Sequence, residues 1–374
     1  MTFSLFELLL IIGLTQGAVA SVLLATSSKN KVSNRILALG VFSFCLFSTK
    51  MLFNSLGWSD TPQLRYIPIG IQLAIAPFIY FYLLSVTAPK FTLTKNTIYH
   101  FIPFFFMQIF ACALYVKTFG MQSIAQQDVT VEHLLYGPIK LIEDYLTLLS
   151  IVYYLFKGFI ALKQYRENIY SNASDTAYPS FNWLLVIFVL SAVLGLFLLL
   201  NMLAELVFNL SATTFLHWQI YFVYMSLLIY CLGLIAYKQP HFQVQQVLQK
   251  AIIKDPEKLQ QDQLNGIISA FENELHNNKA YLNPTLSAID VATVINVNQS
   301  ALSFAINKHY QKSFRDVINE LRISEVKTKL KHNAENGQSI LSIALECGFN
   351  SEASFYRIFK KQAGLAPKAY FQSL

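Results

Sequence analysis

Long apolar runs dominate the first two-thirds of this 374-residue chain. A transmembrane helix needs about 20 consecutive, mostly apolar residues to cross a hydrocarbon core of about 30 Å. Seven stretches meet this requirement, and each is a predicted span. They are residues 2–26, 36–58, 66–86, 100–119, 141–162, 181–208 and 216–237. The sequence therefore predicts an all-α membrane domain of seven helices over residues 1–238.

The density of charge changes sharply near Lys238. The first 237 residues hold 9 acidic and 12 basic side chains, whereas the remaining 137 hold 12 acidic and 16 basic ones. The mean hydropathy of +0.43 averages over these two segments. We therefore expect two domains in different solvents: the membrane domain, a polar linker over residues 239–263, and a cytoplasmic domain over residues 264–374.

Basic residues in short loops prefer the cytoplasmic side of a membrane, and here they predict the orientation. The loops after the first, third and fifth predicted spans are the more basic ones, with Lys29, Lys31, Arg35, Lys90, Lys95, Lys163 and Arg166. The alternate loops hold only Arg65 and Lys140. The pattern predicts a multi-pass protein of the inner (cytoplasmic) membrane, with the N-terminus outside and the C-terminal domain in the cytoplasm.

The first apolar stretch also resembles a signal peptide, because Ala18-Val19-Ala20 is similar to a cleavage site. Its N-terminal region, however, has Glu7 and no Lys or Arg, and the apolar run continues beyond the site. We therefore predict an uncleaved span.

Three charged residues lie within predicted spans, where a charge is costly and usually faces the interior of the bundle. Glu7, Lys50 and Glu205 all fall in the predicted outer halves of their helices. They are candidates for a structural ion pair or for a cavity that binds an unknown small-molecule or membrane signal. Snorkelling towards the interface is a further alternative.

Sequence motifs of catalysis are missing from the membrane half, which has no HExxH, GxSxG or P-loop pattern. The four cysteines, Cys45, Cys112, Cys231 and Cys347, show no CxxC spacing. We expect no enzyme activity, no catalytic residue, no cofactor and no metal site.

An amphipathic helix is predicted at the start of the polar domain, where apolar residues recur at helical spacing. These residues are Leu264, Ile267, Ile268, Phe271 and Leu275. The apolar face either caps the following domain or pairs with the same helix of a second protomer, as in a homodimer.

Two helix-turn-helix patterns follow this helix. In the first, a short apolar helix around Ile289 and Ala292 breaks at Asn296-Val297-Asn298, and a second helix starts near Gln299. The pattern recurs with Ile343 and Ala344 before a turn at Gly348-Phe349-Asn350. Apolar residues from Phe314 to Leu330 predict a connecting helix of about 18 residues, roughly 27 Å long.

A family resemblance rests on these residues. The segment Gly348-Phe349-Asn350-Ser351 through Phe355, Arg357, Phe359-Lys360, Gly364, Pro367 and Tyr370 resembles the signature of AraC/XylS-type transcription regulators. Residues Ala301-Leu302-Ser303 and Ile318 to Arg322 are similar to the first half of that domain. With seven upstream spans, the chain resembles the membrane-anchored subgroup of this family.

The resemblance implies which side chains contact DNA. Groove-facing positions fall on Gln299, Ser300, Ser303 and Phe304 in the first recognition helix and on Glu352, Ala353, Tyr356 and Arg357 in the second. Lys308, Lys312, Lys360 and Lys361 are natural partners of phosphate groups. Phe349, Phe355 and Phe359 are expected in the core.

The sequence departs from the family pattern at Phe304, Gln311, Ala353 and Phe371, where Arg or Lys, Gly, Ser and Arg are common. These departures suggest that the second unit, or the phosphate contacts, contribute more than base reading by the first unit.

The sequence therefore predicts a membrane-bound transcription regulator that binds double-stranded DNA and responds to a signal in the membrane domain. The alternative is a membrane receptor or transporter whose cytoplasmic tail docks a protein partner.

Overall fold

The computed structural model describes residues 3–28, 30–88, 91–172, 182–208, 210, 214–237, 260–332 and 338–372. These residues form helices and contain no β-strand, which confirms the all-α class. The chain divides into two compact units, Met1–Lys163 with Phe181–His241 and Gln164–Ser180 with Phe242–Leu374. Most of the predicted linker, residues 239–259, lies outside the described residues.

The helices of the N-terminal part are α1 Leu5–Thr26, α2 Lys31–Ser55, α3 Gln72–Thr87, α4 Lys95–Tyr99, α5 Ile102–Thr118, α6 Ile124–His133, α7 Tyr136–Asn172, α8 Asn182–Phe208 and α9 Leu216–Tyr237. Five of them, α1, α2, α7, α8 and α9, are long and apolar enough to cross a membrane. The third and fourth predicted spans correspond to shorter apolar helices of 16 and 17 residues. Seven crossings therefore stay a prediction.

Two glycines allow α1 to approach its neighbours closely. A Cβ atom at Gly13 would lie 2.5 Å from the Ser226 Cβ of α9, and one at Gly17 would overlap Cys45 of α2 and Ile229 of α9. Small residues four positions apart are typical of tightly packed membrane helices, because they let two backbones come together. The close packing of α1 against α2 and α9 therefore requires glycine at both positions.

Helix α6 was not predicted from the sequence, which shows little apolar periodicity there. Its Gln127 side chain is buried and donates hydrogen bonds to the carbonyls of Pro62 and Thr118, at 2.9 and 3.1 Å. Arg65 donates two hydrogen bonds, at 2.6 and 2.7 Å, to the Asp128 carboxylate and holds the pKa of that carboxyl below its usual value. Tertiary contacts thus hold this helix against the loop that follows α2.

The C-terminal part consists of α10 Gln261–Asn277, a 3-10 turn Ala280–Leu282, α11 Ala288–Val294, α12 Gln299–Tyr310, α13 Phe314–His332, α14 Ile340–Glu346, α15 Glu352–Ala363 and α16 Pro367–Gln372. The apolar face of α10 is buried in one core with α11, α12 and the start of α13. This packing supports the interpretation of α10 as a cap on the first helix-turn-helix unit, because Phe271 and Leu275 are fully or almost fully buried within this domain.

Helix α13 is shared by two hydrophobic cores. Its first half, with Phe314 and Ile318, belongs to the core of the first unit. Its second half, with Ile323 and Val326, belongs to the core of the second unit. Because Leu282 packs against both cores, the two units are joined by continuous apolar contact.

A buried arginine reinforces this junction. Arg322 of α13 is only 1% exposed, and its Nε and Nη2 donate hydrogen bonds of 2.6 Å to the carbonyls of Tyr281 and Asn283. Its guanidinium also lies 6.0 Å from the centroid of the Phe349 ring. A buried charge is tolerated only when it is hydrogen-bonded, so these contacts bind the loop before α11 to the connecting helix.

Three glycine-to-alanine substitutions test the close packing at this junction. Gly348 has φ of +89°, and an added Cβ would lie 2.8 Å from the carbonyl oxygens of Leu282 and Tyr281. We expect Gly348→Ala to lower the free energy of unfolding by about 3 kcal/mol, because backbone strain and overpacking add. The measurement is urea unfolding of a fragment starting at Gln260, followed by circular dichroism.

Two matched variants separate the causes. Gly364 also has positive φ, of +76°, but no atom lies within 4 Å of an added Cβ, so Gly364→Ala should cost about 1 to 2 kcal/mol. Gly266 has neither constraint, and Gly266→Ala should stabilise α10 by up to about 1 kcal/mol. Equal losses for Gly348→Ala and Gly364→Ala would contradict the packing explanation.

Candidate nucleic-acid interface

The first helix-turn-helix unit consists of α11 and α12. Ser287 caps α11, and the Asn298 side chain accepts a hydrogen bond from the backbone N–H of Ala301 at the start of α12. Asn296 adopts the left-handed conformation in the predicted turn, with φ of 56°. The two helices differ in direction by 105°, which is within the range of about 90–120° typical of helix-turn-helix motifs.

The second unit, α14 and α15, repeats this construction. Ser339 caps α14 and Ser351 caps α15, each accepting a hydrogen bond from a backbone N–H three residues later. Gly348 provides the left-handed residue of the turn. The Asn350 side chain in this turn donates a hydrogen bond of 3.1 Å to the carbonyl of Pro284, which precedes the first unit. The two units therefore contact each other through a turn as well as through α13.

The predicted base-contacting residues of the first unit lie on α12 with unequal exposure. Ser300 is exposed, whereas Gln299, Ser303 and Phe304 are half-buried. Phe304 packs against the core of its unit, and the Lys308 ammonium lies 5.9 Å from the centroid of its ring. Phe304 thus has a structural role that the sequence comparison did not anticipate, and it leaves little side chain to contact a base.

The predicted base-contacting residues of the second unit share the solvent face of α15. Glu352, Ala353, Tyr356 and Arg357 are all exposed. In the described part of the chain, no hydrogen bond or ion pair engages the Arg357 guanidinium. An arginine in this position can donate two hydrogen bonds to the O6 and N7 atoms of guanine.

The core residues of the second unit lie on the opposite face of α15. Ser354, Phe355, Ile358 and Phe359 are buried there, and Phe349 is buried in the preceding turn. The three phenylalanines form a chain of ring contacts, with centroids 5.2 Å apart for Phe349 and Phe355 and 5.6 Å apart for Phe355 and Phe359. These buried rings pack α15 against the core of the second unit.

The four lysines predicted to contact phosphate differ in their surroundings. Lys312 forms an ion pair of 2.7 Å with Glu320, and Lys361 lies 3.8 Å from Asp316. Lys308 and Lys360 are exposed, and no described carboxylate lies within ion-pair distance of either. Lys308 and Lys360 are therefore the better placed of the four for phosphate contacts.

One polar residue on α12 was missed by the sequence analysis. Asn307 is exposed and lies seven residues, or about two turns, after Ser300, so both belong to one stripe of the helix. An asparagine side chain can pair with adenine in the major groove. The spacing from Ser300 was the signal that could have identified it.

The three charged residues that are predicted to lie within membrane spans have separate neighbours. Glu7 accepts a hydrogen bond of 2.9 Å from the Ser55 hydroxyl and caps its own helix through the backbone of Ser4. Glu205 lies 3.8 Å from His217. Lys50 lines a cavity together with Lys140 and Glu143. These neighbours of Glu7, Lys50 and Glu205 thus form three different sets, and none of these sets includes another of the three residues.

Comparison with known proteins bears on the C-terminal part. Residues 291–373 match a family model described as a helix-turn-helix domain. The melibiose operon regulatory protein of Escherichia coli (strain K12) is 32% identical over 85 residues, which cover 23% of this chain and 27% of that protein. The protein of the same name from E. coli O6:H1 (strain CFT073) matches to the same extent. No solved structure matches the chain significantly.

The matched stretch spans about a quarter of these curated relatives. It identifies the C-terminal domain as a helix-turn-helix domain of the AraC type. The family of this domain comprises DNA-binding transcription regulators, which are not a class of enzyme.

Arg357→Ala and Lys360→Ala form a matched pair, because both remove an exposed cation from α15. We expect Arg357→Ala to weaken binding to the preferred duplex by about 1 to 3 kcal/mol and to relax the preference at one position. We expect Lys360→Ala to weaken binding to all duplexes alike and to reduce the salt slope by about 1. Gel shifts on specific and scrambled duplexes at several salt concentrations measure both effects. An Arg357→Ala protein that binds like the wild type would overturn the assignment of α15.

Proposed function

We propose that this chain is a membrane-bound one-component transcription regulator, in which the AraC-type domain binds a specific DNA sequence under the control of the membrane domain. The observation that carries the proposal is that one chain combines two helix-turn-helix units on a shared helix with five helices long and apolar enough to cross a membrane. A separate sensor subunit is not needed in such a chain.

The length of α13 supports DNA binding by both units at once. The helix has 19 residues and is about 28 Å long at about 1.5 Å per residue. Successive major grooves on one face of DNA are about 34 Å apart. Recognition helices held at the two ends of such a helix are suited to adjacent grooves.

The side-chain chemistry favours a larger contribution from the second unit. Its helix α15 presents Arg357, Tyr356 and Glu352 on one exposed face, whereas α12 presents smaller polar groups and the half-buried Phe304. The domain from Asn283 onward holds 11 basic and 7 acidic residues, a modest excess of about 4. We therefore infer that base contacts by α15, together with phosphate contacts by Lys308 and Lys360, determine the specificity and affinity.

The membrane domain is proposed to lie in the inner membrane with seven crossings, an outer N-terminus and a cytoplasmic C-terminal domain. The basic loops after the first, third and fifth predicted spans support this orientation. A regulator of this kind needs its DNA-binding domain in the cytoplasm, which is consistent with the same topology.

Control by a signal requires two states of the membrane domain that differ in affinity for the ligand. We propose that a change in the membrane bundle reaches the DNA-binding domain through α10, because α10 is built into the core of the first unit. A change in the position of α10 then alters how two such domains pair on DNA in a homodimer.

A gel shift with the full-length chain in lipid nanodiscs tests DNA binding. We expect a sequence-specific complex whose affinity falls with a log–log salt slope of about −2 to −4, since two to four lysines each contribute about −0.9. Competition with scrambled duplex is the control. A chain that docks a protein partner instead would show no preference among duplexes.

Reporter fusions test the topology. Alkaline phosphatase inserted after Gln122, in the predicted outer loop between the fourth and fifth spans, should be active, and a C-terminal green fluorescent protein should fluoresce. The matched control is phosphatase inserted after Thr94, in the predicted inner loop, which should be inactive. The reverse pattern, or recovery of the whole chain in the soluble fraction, would contradict the proposed localisation.

A further inference from the structure

A cavity lies among α2, α5, the start of α7 and the segment before α3. Small-molecule sites are concave and mostly apolar, with a few polar groups that fix the orientation of the ligand. In the proposed topology the outer halves of α2 and α5 meet the outer starts of the third and fifth spans here. In that topology the cavity lies in the extracytoplasmic half of the helices.

Lys50 supplies a positive charge to this cavity. It is half-buried, and no described group forms a hydrogen bond or an ion pair with its ammonium. An intramembrane ammonium is expensive unless it is paired or solvated, so such residues usually mark a functional position. Its three N–H donors remain available to a ligand.

Glu143 supplies a negative charge. Its side chain is 8% exposed, and its Oε2 accepts a hydrogen bond of 2.7 Å from Lys140. Its Oε1 is buried and has no hydrogen-bond partner among the described residues. A buried carboxylate oxygen without a donor is costly, and a ligand with an N–H or O–H group would satisfy it.

The neighbouring carboxylate is already engaged. Asp144 accepts a hydrogen bond of 2.8 Å from Gln72 and lies 3.5 Å from Lys140. Lys140 is thus shared between Asp144 and Glu143, which leaves Lys50 and the Oε1 atom of Glu143 as the unmatched pair. These two groups line one cavity without forming an ion pair with each other.

The rest of the cavity wall is mainly apolar, and one of its side chains is hydrogen-bonded to α6. Ile67, Met107, Phe110 and Leu114 are among the residues that line it. Tyr66, which also lines the cavity, donates a hydrogen bond of 2.7 Å to Asp128 of α6. A ligand in the cavity therefore touches a side chain that is tied to the outer helix α6.

We propose that this cavity binds a small amphipathic zwitterion, an apolar α-amino acid or short apolar peptide, as the signal of the proposed regulator. The ligand carboxylate accepts hydrogen bonds from Lys50, the ligand ammonium donates to Glu143 Oε1, and the apolar side chain lies against Met107, Phe110 and Leu114. This inference rests on the proposed function for its role as a signal, but the binding step is independent of DNA.

Calorimetric titration of the full-length chain in lipid nanodiscs tests the binding step. The probes are L-leucine, L-leucyl-L-leucine, 4-methylpentanoate, which lacks the amino group, and 3-methylbutylamine, which lacks the carboxylate. We expect leucine or the dipeptide to bind at least tenfold more tightly than either singly charged analogue, and the better of the two identifies the size of the ligand.

Matched variants locate the site. Lys50→Met and Glu143→Gln should each weaken binding of the zwitterion at least tenfold, whereas Lys117→Met and Glu132→Gln, which change exposed residues outside the cavity, should leave it unchanged. Lys50→Met should abolish the advantage over the amine, and Glu143→Gln the advantage over the carboxylate. Circular dichroism and thermal unfolding of each variant confirm that it is folded.

Two results would overturn the proposal: no binding of either zwitterion, or binding that persists in both folded cavity variants. Failure of the proposed function gives a different pattern. In that case the zwitterion binds to the wild type and not to the variants, but the same nanodisc preparation shows no specific complex with DNA.

Discussion

The buried guanidinium of Arg322 is the contact on which the geometry of the DNA-binding domain depends. A charge in a nearly water-free position requires hydrogen-bond acceptors, and the carbonyls of Tyr281 and Asn283 supply them. Arg322 belongs to the connecting helix α13, and the carbonyls belong to the loop between α10 and α11. The hydrogen bonds therefore hold α10 and the first helix-turn-helix unit against α13. The turn of the second unit is close by, since Gly348 lies against the same carbonyl region.

This junction explains why glycine is needed at position 348. A side chain there would press on two carbonyl oxygens and on the Arg322 guanidinium at once. Turn, loop and connecting helix therefore have to fit one another, and the two recognition helices are presented in one relative pose. If both helices enter adjacent major grooves, as proposed, a fixed relative pose limits the conformational entropy lost on binding.

The same physical rule has the opposite consequence among the apolar N-terminal helices. There Lys50 and the Oε1 atom of Glu143 line a cavity, and neither has a partner among the described residues. The buried Arg322, in contrast, is hydrogen-bonded to two carbonyls. Polar groups such as these, which lack a hydrogen-bond partner in the protein, are suited to hydrogen-bond a ligand. In the proposed complex, hydrogen bonds from the ligand offset the free-energy cost of leaving Lys50 and Glu143 unpaired.

Periodicity and turn chemistry were sufficient to predict local structure. The turn at Asn296, the connecting helix from Phe314 and the inward face of Phe355 and Phe359 all follow from apolar spacing and residue conformational preference, and each is confirmed. Such features depend on neighbours within one or two helical turns, so the sequence alone contains the necessary information. Helix α6, in contrast, is held by Arg65 and by backbone carbonyls far along the chain, and the sequence showed no sign of it.

The sequence by itself determined the all-helical class, the two helix-turn-helix units and the apolar character of the N-terminal helices. Only the tertiary structure decided which charges are paired. In the tertiary structure Lys50 lines a cavity with Lys140 and Glu143, whereas the sequence had grouped it with Glu7 and Glu205. The fold also buries part of Phe304 and places Arg322 in the junction between the two units. Pairing between charges depends on how helices distant in sequence pack, and that packing is set by shape complementarity over many residues, which no local pattern encodes.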